Sequence, residues 1–529
     1  MTKTDLRQRR AGLLVPLFSC PSTTSWGIGD IGDIAPMTGW LAGAGQRVLQ
    51  LLPLNEMATG QQSPYSASSA MAIDPIYIRL PDLPDFVAVG GEAGLSASDR
   101  FELARVRGET HVDYATVRRL KNRTLRLAFD RFYESEWMQG TDRRDAFQSF
   151  LANQAWWVED YAIFRALLAS NENRSWNEWP EALRRRDPGA IDQARRELTR
   201  EVLFYQYLQW IADAQWQKAR ESASAHQVAL FGDLPFMVDG NSVDVWVRQR
   251  QFRLDASVGV PPDAFSAEGQ DWGMPVYRWD VLEIDDYRWL RDRARRSADL
   301  FDGYRVDHLV GFYRTYGRPH DGSEPFFTPG TEPEQIALGE RLLKIFGDAG
   351  AEITAEDLGT VPDFVRASLA RHGVPGVRVF RWERDWHAPG HPFLDPSDYA
   401  PRSVAVSGTH DTPPQVVWWE EASDDERRAV ASLPMMARIS GGSFRADRQY
   451  TPATRDALLE AICASGSDLA LIPIGDVFGW RDRINVPATT SETNWTFQLP
   501  WPSDRLDASS EARERKDTLR LWSERHRRL

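Results

Sequence analysis

Eight short apolar runs recur along the chain, most of them separated by stretches with helical spacing. They are Gly12–Phe18, Arg47–Leu54, Val228–Phe236, Gly303–His308, Glu352–Ala355, Gly376–Trp382, Ser403–Ser407 and Asp468–Ile474. Each is too short for a buried helix and is rich in Val, Ile, Leu and Phe, the pattern of a strand covered on both faces. Helical stretches follow or lie between them at Ile34–Ala44, Asp285–Leu300, Glu334–Ala349, Val361–His372 and Pro452–Ser465, and Ala512–Arg527 closes the chain. Eight strands alternating with helices constrain the fold to the α/β class and predict a (β/α)8 TIM barrel, a single catalytic domain over residues 1–529.

The rhythm breaks once. After the second run, residues 57–200 carry long helical patterns at His111–Ser135 and Arg144–Ser170, and a third begins at Asp187 and runs on to Ser222. This is far more chain than a strand–helix loop needs, so it is read as an inserted, mainly helical subdomain, with the last helix returning to the barrel. A stretch rich in Pro, Gly and aromatic residues, 256–280, is read as a loop over the face where the strands end.

With 42% hydrophobic residues the chain is globular, and a formal charge of −13 argues against nucleic acid or an acidic membrane surface as partner. Two cysteines build no disulfide framework and point to a reducing, cytoplasmic setting. The run Leu13–Phe18 behind Arg7, Arg9 and Arg10 loosely imitates a signal peptide, but it contains Pro16 and the bulky Phe18 and reads as the first strand. No apolar run approaches the ~18 residues of a membrane span. Nine histidines include no HExxH pair, no Walker loop is present, and no strand end carries a lysine, so neither a metal site nor an organic cofactor is expected.

What the strand ends carry instead is acid: Glu56, Asp233, Asp307, Glu356, Asp411 and Asp476. In a (β/α)8 barrel these ends form the active-site face. Arg305 and Asp307 are two residues apart and share one face of their strand. Alone they read as a structural ion pair. In company with the other acids they read as a carboxylate held ionised beside a cation. Glu356 follows Ile353, Thr354 and Ala355, where partial burial would raise its pKa. One ionised and one protonated carboxyl group are the minimum for cleaving a glycosidic bond. Twenty-one tryptophans, whose rings stack on sugar faces, agree with a carbohydrate substrate.

The motifs Ser63-Pro64-Tyr65, Trp176–Pro180, Gly232–Pro235, Trp272-Gly273, Arg305–His308, Ala355–Gly359, Gly408–Asp411 and Arg483–Pro487 resemble those of the amylomaltase, or 4-α-glucanotransferase, family of glycoside hydrolases over nearly the whole chain. The resemblance implies transfer of α-1,4-glucan segments between maltooligosaccharides or starch- and glycogen-derived glucans by a retaining double displacement. It implies Asp307 as nucleophile, Glu356 as acid/base and Asp411 as the third carboxylate. Arg305 would orient Asp307, His410 would bind a sugar hydroxyl, and Tyr65 and Asp233 would lie near the donor. Phe265 and Trp272 would face the acceptor side. Met274, Thr412 and Gly475 depart from the residues usual in that family. An α-glucan hydrolase of the same superfamily and an inactive glucan-binding protein stay open as alternatives, as does the oligomeric state.

Overall fold

The computed structural model describes residues 9–262, 269–487, 489 and 491–529. Eight parallel strands close into a barrel. They are β1 (Arg10–Leu14), β2 (Val48–Gln50), β3 (Ala229–Leu234), β6 (Gly303–Val306), β9 (Glu352–Ala355), β10 (Gly376–Val379), β11 (Ser403–Val406) and β12 (Leu469–Pro473), paired in chain order with β12 returning to β1. Seven of the eight apolar runs contain one of these strands whole, and β1 begins two residues before its run, which it shares from Gly12 to Leu14. The runs overshoot because the chain turns as soon as it leaves the ladder: Leu17–Ser19 and Phe380–Trp382 are 3-10 turns.

Side chains alternate between two cores, as the period of a strand requires. Val404 and Val406, with Leu469 and Leu471, join Val48, Phe231, Val377 and Val379 in a cluster that fills the barrel. Ala405, Ala470 and Ile472 point outward into the larger core shared with the helices. On β6 the same alternation sends Tyr304 and Val306 outward and leaves Arg305 inside, over Val377, Val404, Val406 and Leu471.

Between β2 and β3 the chain is predominantly helical, with Tyr114–Phe132, Asp142–Ser170 and Thr199–Ala225 the longest helices. Asp113 caps the first by accepting from the Thr116 amide. Phe129, Phe132, Phe147 and Tyr207 pack these helices together ring on ring. The helices also hold the chain leaving β2: Arg165 Nε lies 3.2 Å from Glu56 and Arg118 Nη2 lies 2.7 Å from Asp74.

The stretch 256–280, expected as a loop, is largely a β-hairpin. β4 (Phe252–Val260) and β5 (Gln270–Tyr277) are antiparallel and join β7 (Thr315–Pro319) and β8 (Phe326–Thr328) in a second sheet of order β5-β4-β7-β8. Gly273, Pro275 and the register shifts between β4 and β5 obscure the strand pattern in the sequence. Phe265 lies outside the described residues. Among the described residues no helix is long and apolar enough to cross a membrane.

Candidate active site

The carboxyl ends of β3, β6, β9 and β11 bring Asp233, Asp307, Glu356 and Asp411 to one face, and polar contacts through Arg305, Tyr65 and His410 join Asp233, Asp307 and Asp411. The other two strand-end acids serve the scaffold. Glu56 is buried against Arg165. Asp476 accepts from Ser407 Oγ at 2.6 Å and the Gln415 amide at 2.7 Å, tying β12 to β11 and to the helix that follows it.

Arg305 is the hub. Its Nε lies 3.0 Å from both oxygens of Asp233, and its Nη2 lies 2.7 Å from Asp233 Oδ2, 2.9 Å from Asp307 Oδ1 and 3.1 Å from the Tyr65 hydroxyl. A planar guanidinium can serve two carboxylates and a phenol at once, which a lysine cannot. Asp233 is 4% exposed, and its oxygens are engaged by Arg305 and by the Tyr65 hydroxyl at 2.7 Å. It therefore anchors Arg305.

Burial raises the Asp307 pKa well above the ordinary carboxylate range, and Asp233, Glu356 and Asp411 add to the rise while Arg305 opposes it. The contact with Arg305 is as the sequence spacing predicts, but the pull of that single cation does not outweigh burial among three other acids. The Asp307 side chain keeps 28% of its surface open, so water screens part of this effect.

Glu356 begins where β9 ends. Its Oε2 accepts from the His308 amide at 2.8 Å and its Oε1 from the Leu358 amide at 3.1 Å. His308 reaches this position because its backbone is left-handed, φ 45°. Burial raises the Glu356 pKa, against the pull of Arg305 and the two amides. Burial also pushes the His308 imidazole down to about 4, so the residue whose amide meets Glu356 carries a neutral ring. Trp272 of β5 meets that ring edge-on at 4.8 Å, which brings the second sheet against His308.

Asp411 is the fixed anion. Burial would raise it, but His410, the Asn485 amide and Arg305 bring it down to about 2. His410 Nε2 lies 3.2 Å from Asp411 Oδ2 and 3.0 Å from the Tyr65 hydroxyl, and the Tyr65 ring stacks on His410 at 5.3 Å. Gly408 starts this turn, where a Cβ would stand 2.5 Å from Thr412 Oγ1. Thr412 in turn accepts from the Thr409 amide at 3.0 Å, so this departure from the family pattern closes the turn.

Two contributors had no role assigned from the sequence. Asn485 Nδ2 donates to Asp411 Oδ1 at 2.6 Å, and Arg483 Nη2 donates to the Asp411 carbonyl at 2.5 Å. Both lie in the Arg483–Pro487 run. The available signal was a lone polar residue, Asn485, between Ile484 and Val486. Trp495, with φ 65°, packs near Tyr65 and His410 and accepts at its carbonyl from the Tyr114 hydroxyl, linking the helix Tyr114–Phe132 to the site.

Residues 15–503 match the model of the 4-alpha-glucanotransferase family. The chain is 34% identical over 527 residues to the 4-alpha-glucanotransferase of Thermus thermophilus, covering 96% of this chain and 99% of that protein. It is 30% identical over 500 residues to the enzyme of the same name from Chlamydia pneumoniae, covering 92% and 91%. The amylomaltase from Streptococcus agalactiae, solved in complex with acarbose, aligns over 98% of this chain and 100% of its own with a TM-score of 0.82 and 25% identity. By barrel, strand-end carboxylates and sequence match alike, the chain belongs to the 4-alpha-glucanotransferase family, glycosyltransferases of the amylomaltase type.

Proposed function

We propose that this enzyme transfers segments of α-1,4-glucan between maltooligosaccharides or starch- and glycogen-derived glucans by a retaining double displacement at Asp307 and Glu356. The observation that carries this reading is the unequal treatment of three neighbouring carboxyl groups. Asp411 is held ionised, whereas burial raises both Asp307 and Glu356. When the raised pair shares one proton, one member is an acid and the other an anion. Direct contact with the Arg305 guanidinium at 2.9 Å favours the charge on Asp307, which leaves the proton to Glu356 in this reading.

In the first step an Asp307 oxygen forms a bond to the anomeric carbon. Glu356 gives its proton to the glycosidic oxygen, and the reducing-end fragment leaves with a free 4-hydroxyl. In the second step an acceptor 4-hydroxyl gives its proton to Glu356 and its oxygen bonds to the same carbon, releasing Asp307. Asp411 and His410 would hold hydroxyls of the donor glucose, and the fixed negative charge of Asp411 favours the positive charge that develops on the ring. Trp272, beside His308, would support the acceptor side. A bound glucan hydroxyl has a large effective concentration over diffusing water, which favours transfer. Two buried free thiols, Cys20 and Cys463, agree with a reducing, cytoplasmic setting.

Incubation with maltotriose tests the reading: a ladder of longer oligomers with constant total reducing ends is expected. Rising reducing ends without a ladder would identify a hydrolase. Asp307→Asn and Glu356→Gln should each lower kcat by about 10³-fold or more. Activity near wild type in either variant would remove that residue from its role.

A further inference from the structure

Inside the barrel, beneath the carboxylate cluster, two polar side chains sit where the surroundings are apolar. On β2, Val48 belongs to the cluster that fills the barrel and Leu49 to the outer core, so Gln50 points inward with Val48. Gln50 is 5% exposed, and its side-chain amide makes no hydrogen bond to any of the described residues. On β9, Ile353 and Ala355 pack outward, which turns Thr354 inward. The Thr354 hydroxyl, also buried, has no partner among the described residues either. Buried polar groups nearly always have a partner, because an amide or hydroxyl without one is costly.

Both side chains line one cavity of about 20 Å³, and Arg305 and His410 line it with them. A water needs roughly 10–15 Å³ of such space, so the cavity takes one. Strand register sets Arg305 beside Thr354 on β9 and beside Asp233 on β3. Arg305 spends its Nε and Nη2 on Asp233, Asp307 and Tyr65, and its Nη1 donates to none of the described residues. His410 Nδ1 is buried without a partner as well. Spare donors and acceptors from four strands thus converge on room for a single water, which makes about three hydrogen bonds when buried. A cation is disfavoured there by Arg305, and a small anion by Asp233 and Asp307.

We infer that Gln50 and Thr354 hold one water in this cavity, that the water accepts from Arg305 Nη1, and that Gln50 is thereby a positioning residue for the reaction. Asp233 fixes one edge of the guanidinium. The water fixes the remaining nitrogen, so the Nη2 donor offered to Asp307 is held in place. The inference rests on the proposed role of Asp307 for its effect on rate.

The test is a crystal structure of the enzyme at a resolution that shows ordered water, beside transfer kinetics with maltotriose for Gln50→Met, Thr354→Val and the double variant. One water within hydrogen-bond distance of Gln50 and Arg305 Nη1 is expected. Gln50→Met keeps the length of the side chain without its amide, and should lower kcat by about tenfold, leave KM within about twofold and not lower the midpoint of chemical denaturation. Gln50→Asn keeps the amide and should retain kcat within about threefold. The double variant should lose little more than Gln50→Met alone, since both substitutions break one shared link. A cavity without water, full activity in Gln50→Met, or additive losses in the double variant would overturn the inference. Should wild-type protein transfer nothing, the proposed function fails, while the crystal structure still decides whether Gln50 and Arg305 share a water.

Discussion

Two buried arginines mark the two ends of the barrel, and they are used in opposite ways. At the carboxyl end Arg305 faces anions. Burial disfavours its charge, but Asp233, Tyr65 and Asp307 raise its pKa well above normal. At the amino end Arg528 makes its hydrogen bonds to neutral acceptors, and the nearby Asp468 carboxylate only partly offsets burial and Arg9. It donates to the carbonyls of Cys463, Arg10, Asp468, Ser465 and Ser467, across the seam where β1 meets β12, and burial beside Arg9 brings its pKa down to about 10. One end of the molecule uses a guanidinium to tune the charge of acids. The other uses the same group to satisfy backbone carbonyls and hold the last residues of the chain against the first strand. Conserving the number of hydrogen bonds would not conserve either role, because the first depends on charge and the second on donor geometry.

The largest effect expected from this contrast is on catalysis. Arg305→Ala should lower kcat/KM for transfer by about 10³-fold. It should also move the acidic limb of the pH profile to higher pH, since removing the cation that opposes the rise of Asp307 lets that carboxyl hold its proton longer. An unmoved limb would mean that Arg305 acts only as a strut, and the contrast would collapse. Arg528→Ala should do the reverse, leaving turnover per folded molecule within about twofold while lowering unfolding free energy by about 3 kcal/mol, the cost of leaving buried carbonyls unsatisfied. Chemical denaturation measures it, and full stability in that variant would show the seam to be closed by strand pairing alone.

The smallest effect sharpens the electrostatic side. Because burial raises the folded-state pKa of Asp307, its ionised form costs stability above that pKa, and the cost disappears below the pKa of the unfolded chain. Asp307→Asn should therefore stabilise the protein by about 1 kcal/mol at neutral pH and by nothing in acid. Arg305 keeps Asp233 as a partner in that variant, so no buried cation is stranded. A destabilised Asp307→Asn protein would show that the Arg305–Asp307 contact outweighs the burial of the carboxylate.

By itself the sequence determined the barrel and the place of its chemistry. Short runs buried on both faces admit no other period, so seven of the eight strands fall inside a run read from apolar spacing and β1 overlaps its run from Gly12 on, while Arg305 and Asp307 meet because they are two residues apart along and just past the end of one strand. The carboxyl ends of those strands then had to carry the site. Only the tertiary structure divided the acids found there. Glu56 and Asp476 hold the same kind of position as Glu356, yet Arg165 takes one, and Ser407 and Gln415 take the other. Those partners come from elsewhere in the chain, out of reach of local pattern. The second sheet was hidden for a related reason: β5, β7 and β8 contain Gly or Pro or are very short, and become strands only because β4 and its neighbours supply the hydrogen bonds. The role of Asn485 and the rise of Asp307 likewise required long-range proximity, since burial and charge act through space, and sequence spacing measures distance only along a single element.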